Sequence, residues 1–219
     1  MKKTKKNQID WRNHLVGLIV VILGISIAFM LENWKQSRSD RALEITYLKN
    51  FSDNLMQDAL ELDSIINAVQ VKSYLLGSYL NDLQRGQISQ DKAQHVLYEL
   101  MQNHHFVPVQ VTYESLKSSG NMNIVSDEDL KSVLVAYYIM YDELKLKEDV
   151  FFDYLQAFIF PFVYKHMDFA SGQIMNMSHI QGIEFKNIVI GYYTLVNQNL
   201  EAYKKYHEDN KKLLEKLNK

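Results

Sequence analysis

The fold is decided by residues 48–83, which read LKNFSDNLMQDALELDSIINAVQVKSYLLGSYLNDL. One apolar stripe repeats at an interval of seven and consists of Leu48, Leu55, Leu62, Val69, Leu76 and Leu83. A second stripe lies three residues further on and consists of Phe51, Ile65 and Tyr79, with Asp58 and Lys72 as polar interruptions. Paired apolar positions in a heptad, without proline, predict a long amphipathic helix with a coiled-coil-like seam.

Three more amphipathic stretches follow this helix. Ser89 is placed to cap a helix over residues 90–104, and Ser126 with the acids after it opens another that extends to about residue 165. Pro161 is expected to kink or break that helix, and a last helix covers residues 183–217. Residues 104–111 and 166–182 are interpreted as connectors, and Thr112 opens a short helical turn that Gly120 closes. The sequence therefore predicts an all-α chain whose residues 35–219 form an antiparallel, four-helix-bundle-like domain.

Upstream of the heptads lies an uncharged segment, residues 15–31, with the sequence LVGLIVVILGISIAFML. Seventeen residues give a helix of about 25 Å, near the lower limit for crossing the hydrocarbon core of a bilayer. Trp11 and Trp34 flank it and are spaced to place one indole at each membrane interface, next to Arg12 and Lys35. These residues predict a transmembrane helix over residues 14–34.

The charges around this segment predict its orientation. Residues 1–14 carry five basic side chains and one acidic side chain, whereas the basic residues after the segment are mixed with acids. The positive-inside rule then places residues 1–13 in the cytoplasm and the helical domain, residues 35–219, outside it. The helix of the heptads either continues directly from the membrane helix or pauses at residues 37–40, where capping residues cluster.

Two alternatives to a membrane anchor are a cleavable signal peptide and a buried helix of a soluble protein. Ser26 and Ala28 have the spacing of a cleavage site, but the apolar run continues beyond them. A buried helix is at odds with a segment that is apolar on every face. Within the segment, Gly17, Gly24 and Ala28 are small residues at which another membrane helix could approach closely.

Motifs of catalysis and cofactor binding are missing from the sequence. The chain has no cysteine, which excludes a thiolate metal site and a cysteine nucleophile. Phosphate-binding glycine loops, the nucleophile elbow and the His-Glu-x-x-His motif do not occur either. A net charge of −2 without a basic stripe argues against nucleic acid as a partner. We therefore expect no enzyme, no cofactor and no metal site.

An aromatic concentration is the feature that stands out in the second half of the chain. Eleven of the 24 Phe and Tyr residues fall between Tyr137 and Phe169. They fill the end of the bundle core, or some of them form an apolar surface for a partner. The candidates for such a surface are Phe158, Phe160, Phe162, Tyr164, Met167 and Phe169.

Two blocks of the sequence resemble a known family. They are residues 17–55, which contain the pair Asn33-Trp34, and TYESLKSSGNMNIVSDEDLKSVLVAYY, residues 112–138. Both are similar to an uncharacterised family of single-pass membrane proteins common in Bacteroidetes. The resemblance implies a bacterial inner membrane, and it carries no known activity or site residue.

Together these features favour a membrane-anchored helical interaction or scaffold module, an accessory subunit of a bacterial envelope complex. Its expected partners are membrane lipid and another envelope or membrane protein, and the heptad seam also allows a homo-oligomer. The alternative is an extracytoplasmic sensor that binds a small ligand between its helices and signals through a partner membrane protein.

Overall fold

A computed structural model describes residues 11–218 of the chain, and their side chains from residue 15 onward. The helices are α1 (Trp11–Gln84), α2 (Gln90–Met101), α3 (Val111–Ser118), α4 (Glu128–Tyr154), α5 (Phe160–His166), α6 (Met177–Ile180) and α7 (Ile183–Leu217). A 3₁₀ turn covers Asn121–Ile124, and strands β1 (Met167–Asp168) and β2 (Gln173–Ile174) form a short antiparallel hairpin. The all-α prediction is confirmed.

The chain divides after Tyr47 into two compact units. In the N-terminal unit, Met1–Tyr47, the described residues form one helix that runs through residues 37–40 without a pause. Its apolar segment has a mean hydropathy of 2.6 and is not buried inside the chain. Of the helices described between residues 15 and 218, this is the one that is long and apolar enough to cross a membrane. The predicted domain boundary between residues 34 and 35 stays a prediction.

The C-terminal unit, Leu48–Lys219, is built on three long helices: residues 48–84 of α1, and α4 and α7. Asn210 on α7 donates to the Leu55 carbonyl at 3.1 Å, and Ser73 donates to Asn197 at 2.8 Å, so α7 runs antiparallel to α1. Rings of Tyr137 and Tyr206 stack with centroids 4.5 Å apart. This stack ties α4 to the same part of α7.

The apolar stripes of α1 form the core of this unit as predicted. Leu55, Leu62 and Leu76 are fully buried, and so are Phe51 and Tyr79 of the second stripe. The two polar interruptions, Asp58 and Lys72, are buried as well. Their burial is explained by the part of the chain that packs beside α1 and lies between α1 and α4 in the sequence.

The part of the chain that packs beside α1 is not one helix. It consists of α2, the non-helical residues 102–110, hereafter the linking segment, and then α3. Ser89 caps α2 as predicted by accepting from the Lys92 amide. The linking segment is hydrogen-bonded to α1 at both ends. Its Gln102 carbonyl accepts from Lys72 of α1, and its Val109 amide donates to Asp58 of α1. The predicted connector therefore packs against α1, with Phe106 and Pro108 buried and its other residues half-buried or exposed.

The helix does not break at Pro161. The helix widens into a single π-helical turn, Leu155–Ile159, and continues as α5 with Pro161 in its first turn. Proline has no N–H to donate and is tolerated in a first turn, so the chain stays helical. The hairpin and α6, between residues 166 and 182, were not predicted.

Packing of α4 against α7 depends on Gly191. An added Cβ there would overlap the Tyr154 hydroxyl, which donates to the Ile188 carbonyl at 2.9 Å. We expect Gly191→Ala to lower the free energy of unfolding by about 1–3 kcal/mol, because the ring must move and lose this hydrogen bond. Urea titration of the chain in detergent, followed by far-UV circular dichroism, measures the change.

Gly77→Ala is the matched control. It also lies within a helix, but its Cβ would meet Tyr193 at 3.6 Å, an ordinary contact. Alanine should stabilise that position by about 0.5–1 kcal/mol through its higher helix propensity. Equal effects of the two substitutions would contradict the role assigned to Gly191.

Candidate functional site

Three buried ionisable side chains hold the backbone of the linking segment. Asp58 Oδ1 accepts from the Val109 amide at 2.8 Å, and Glu148 Oε1 accepts from the Phe106 amide at 2.8 Å. Lys72 Nζ donates to the Gln102 carbonyl at 2.7 Å. Since a non-helical segment inside a packed domain has no helical hydrogen bonds, these side chains supply the partners that its backbone requires.

Tyrosine hydroxyls complete this hydrogen bonding. Three hydroxyls donate to backbone carbonyls of the linking segment: that of Tyr138 to the Val109 carbonyl, that of Tyr192 to the Gln102 carbonyl, and that of Tyr203 to the His104 carbonyl. Tyr137 donates to Asp58 Oδ2 at 3.2 Å and accepts from Asn210 Nδ2 at 2.9 Å. The network joins all three long helices to the linking segment.

Burial shifts the pKa values of these ionisable groups. It raises the pKa of Asp58 to about 6, despite the Val109 and Tyr137 hydrogen bonds that oppose the shift. Burial also raises the pKa of Glu148 and lowers that of Lys72 to about 8, with the Glu99 carboxylate opposing the latter shift. In each case the low-polarity surroundings disfavour the charged form.

Lys72 also lies at the edge of a cleft between α1 and α2, hereafter the α1–α2 cleft. Its volume is about 590 Å³. Its lining residues are Asn67, Ala68, Val71, Lys72, Tyr74, Leu75 and Ser78 of α1, His95 and Glu99 of α2, and Gln102 and His104 of the linking segment. The cleft combines an apolar wall with a buried ammonium group, an arrangement suited to a small amphipathic molecule.

A second groove, of about 660 Å³, lies between α1 and α7. Its lining is mainly polar and includes Ser73, Asn81, Asp82, Arg85 and Tyr193. These side chains lack the apolar wall of the α1–α2 cleft, which makes the cleft the better candidate for a ligand site.

Neither cleft was predicted from the sequence. The signal that pointed to the site was the pair of polar residues, Asp58 and Lys72, at positions where the heptad requires apolar ones. Glu148 on the inner face of α4 is a third residue of this kind. What these side chains bind became clear only from the position of the linking segment.

The structure divides the six candidates for an apolar partner surface into buried and solvent-exposed residues. Phe162 and Met167 are buried, with Phe162 stacked on Phe185 at 4.7 Å, so these two belong to the core and that part of the prediction is wrong. Phe158, Tyr164 and Phe169 are exposed, and Phe160 is half-buried.

The residues predicted to act in the membrane lie in the N-terminal unit. Trp34 and Lys35 are exposed, and the Arg38 guanidinium lies 4.9 Å from the centre of the Trp34 ring. An added Cβ at Gly17 or Gly24 would meet no described atom within 4 Å, and Ala28 is exposed. The side chains of Trp11 and Arg12 lie outside the described ones. The roles proposed for all these residues stay predictions.

Over the described residues, fold and site together define an all-α protein with one helix able to cross a membrane and a helical unit, Leu48–Lys219, that contains a buried polar network. Residues 17–156 match the model of a family of unknown function, DUF6090, and the chain belongs to this family. The family match begins inside the apolar segment and ends in the π-helical turn. No curated protein and no solved structure matches the chain.

The Asp58 carboxyl makes stability depend on pH. Its pKa is about 6 in the folded chain against an ordinary 3.8, so the folded state binds more protons than the unfolded state between these values. The contribution of Asp58 to stability is therefore full below about pH 4 and is lost as the pH rises through about 6. Asp58→Asn keeps an acceptor for the Val109 amide but does not titrate.

We expect the free energy of unfolding of Asp58→Asn, relative to the unsubstituted chain, to rise between pH 4 and pH 7. Urea titrations at a series of pH values measure this difference. Asp53→Asn makes the identical change at an exposed position of α1 and controls for the loss of one charge. A pH profile of Asp58→Asn parallel to that of the unsubstituted chain would refute the assignment.

Proposed function

We propose that this protein is a membrane-anchored helical interaction module, an accessory subunit of a complex in the bacterial envelope, without catalytic activity. Its N-terminus lies in the cytoplasm and its C-terminal unit in the periplasm. The observation that carries the proposal is a group of exposed apolar side chains at one end of the C-terminal unit, hereafter the apolar end. It consists of Phe158, Tyr164, Phe169, Met175 and Ile183, which are 48%, 79%, 59%, 64% and 71% exposed.

The apolar end rests on a fixed base. Phe162 stacks on Phe185, and Phe185 contacts Tyr79 edge-on with centroids 6.1 Å apart, which joins α5, α7 and the end of α1. The rings of His166 and His179 stack at 4.2 Å and add α6 to this base. Exposed side chains on elements packed in this way are held in place before a partner arrives, which lowers the entropic cost of binding.

Charged residues interrupt the apolar end and favour a protein over lipid as its partner. Lys165, Asp168 and Glu184 are exposed among the apolar side chains. An apolar centre with a polar rim is typical of protein interfaces. A surface that enters the bilayer would instead have to place these charges in hydrocarbon, at high cost.

The buried ionisable groups support a role without catalysis. Asp58 and Glu148 accept backbone amides of the linking segment, and Lys72 donates to one of its carbonyls. Perturbed pKa values elsewhere indicate an active site, but here they follow from the burial of groups that hold the backbone of the linking segment.

Photocrosslinking in living cells tests the interaction. A benzoylphenylalanine at position 164 should give a discrete adduct with one envelope or membrane protein, because this side chain projects from the apolar end. Phe152, 45% exposed on α4 outside the apolar end, is the matched control position and should give none. Tyr164→Glu should then abolish co-purification of the protein identified by mass spectrometry.

Equal adducts at positions 152 and 164 would contradict a specific surface. Adducts that contain only this chain would replace the proposed partner by a second copy and support a homo-oligomer.

Topology is tested separately, and the lack of native cysteine makes the test direct. We expect a cysteine placed at Asn218, but not one placed at Lys3, to react with a membrane-impermeant maleimide once the outer membrane is permeabilised. The physical reason is the excess of basic residues before the apolar segment. Labelling at Lys3 alone would reverse the proposed orientation, and lysed cells provide the positive control for both positions.

A second candidate function is favoured by the α1–α2 cleft: a sensor that binds a small ligand and signals through a partner membrane protein. Its open volume of about 590 Å³ is large enough for a small organic molecule. Saturable thermal stabilisation of the chain by such a molecule would support this candidate.

A further inference from the structure

We propose that the α1–α2 cleft binds a small monocarboxylate with an apolar body, whose carboxylate pairs with the Lys72 ammonium. The inference names the ligand class of the sensor, the second candidate function, and rests on it. It does not depend on the apolar end. The argument has three parts: the unpaired charge of Lys72, the apolar wall beside it, and the charges opposite.

Lys72 is a buried cation that acts electrostatically on the Glu99 carboxylate but forms no close ion pair with it. Its side chain is 4% exposed, yet its Nζ bonds only the neutral oxygens of Gln102, at 2.7 Å, and Tyr192, at 3.3 Å. Among residues 15–218, no carboxylate forms an ion pair with it. An ammonium has three donors, so one N–H is left for a ligand. Burying a charge without a partner is costly, and a bound carboxylate would offset that cost.

An apolar wall lies on both sides of Lys72 along α1. Ala68 and Val71 precede Lys72, and Tyr74 and Leu75 follow it. From Lys72 to Ser78, at one end of the lining, is six residues, which corresponds to about 9 Å of helix. Val71 and Tyr74 are 70% and 82% exposed, so a ligand can enter from solvent and cover them. The ligand therefore has an acidic group at one end and a short apolar body.

The opposite wall favours a single negative charge. Glu99 also lines the cleft and repels anions, and it repels a polyanion such as a phosphate ester more strongly than a singly charged carboxylate. Burial and the nearby Lys72 charge lower the pKa of His104, which favours the neutral ring with its one N–H donor. One ammonium with neutral donors around it matches a monocarboxylate.

Calorimetric titration of the full chain in lipid nanodiscs tests the proposal. The probes are 3-phenylpropanoate and hexanoate, and 3-phenylpropanamide is the neutral control of equal shape. Saturable binding of a carboxylate, at least about tenfold tighter than the amide, is expected from a charge-assisted hydrogen bond in a partly buried site. Lys72→Met should abolish this preference, whereas Lys186→Met, the same change on α7, should leave it intact.

A second pair of variants guards against misfolding of Lys72→Met, since Lys72 also bonds the linking segment. Val71 is exposed, so Val71→Glu and Val71→Lys should both fold. The glutamate should weaken carboxylate binding by repulsion, and the lysine should preserve or tighten it. Opposite effects of the two charges would localise the ligand to the cleft.

The proposal is overturned if neither carboxylate binds saturably, if the amide binds as tightly, or if Val71→Glu and Val71→Lys behave alike. Saturable binding of a neutral or cationic molecule in place of a carboxylate would overturn the ligand class and leave the sensor standing. Failure of crosslinking at position 164 would count against the proposal of an interaction module and would leave the ligand proposal unaffected.

Discussion

The C-terminal unit depends on one constraint: the backbone of the linking segment must be hydrogen-bonded inside a helical domain. Residues 102–110 lie between long helices, where water does not reach Phe106 or Pro108. Each unpaired amide or carbonyl there would cost about 1–3 kcal/mol. Side chains from the three long helices meet this need, with Asp58 and Lys72 contributed by α1 and Glu148 by α4. The burial of Asp58, Lys72 and Glu148 is therefore a consequence of packing a non-helical segment against these helices.

The same constraint shapes the candidate ligand site. Because α2 ends at Met101, the chain beside α1 changes from a helix to non-helical, narrower backbone at the level of Lys72. The ammonium reaches across to the Gln102 carbonyl, and the space beside it remains open as the α1–α2 cleft. A charge placed for structural reasons is thus exposed to a cleft, which is how a scaffold can acquire binding without a dedicated motif. The two proposed functions use different sites of the C-terminal unit. The sensor would bind its ligand in the α1–α2 cleft at Lys72, and the interaction module would bind a protein partner at the apolar end.

Much of the fold follows from patterns in the chain itself. The heptad of α1, the Ser89 cap and the amphipathic stretch over residues 183–217 predicted helices that the structure contains, since the burial of one face is a local property of the sequence. The candidate site was less accessible. Asp58 and Lys72 stood out as interruptions, but their partners, Val109 and Gln102, are 51 and 30 residues away. The burial of Phe162 was missed for the same reason, because it is produced by Phe185 on another helix.

The sequence by itself determined that the protein is helical and that it carries an apolar segment long enough to cross a membrane. Helix periodicity and the length of an uncharged run are set by neighbouring residues and need no knowledge of the rest of the chain. Only the tertiary structure decided which aromatic side chains are core and which are surface, and that three ionisable residues hold one non-helical segment. These outcomes depend on contacts between residues far apart in the chain, which hydrophobic patterning does not specify.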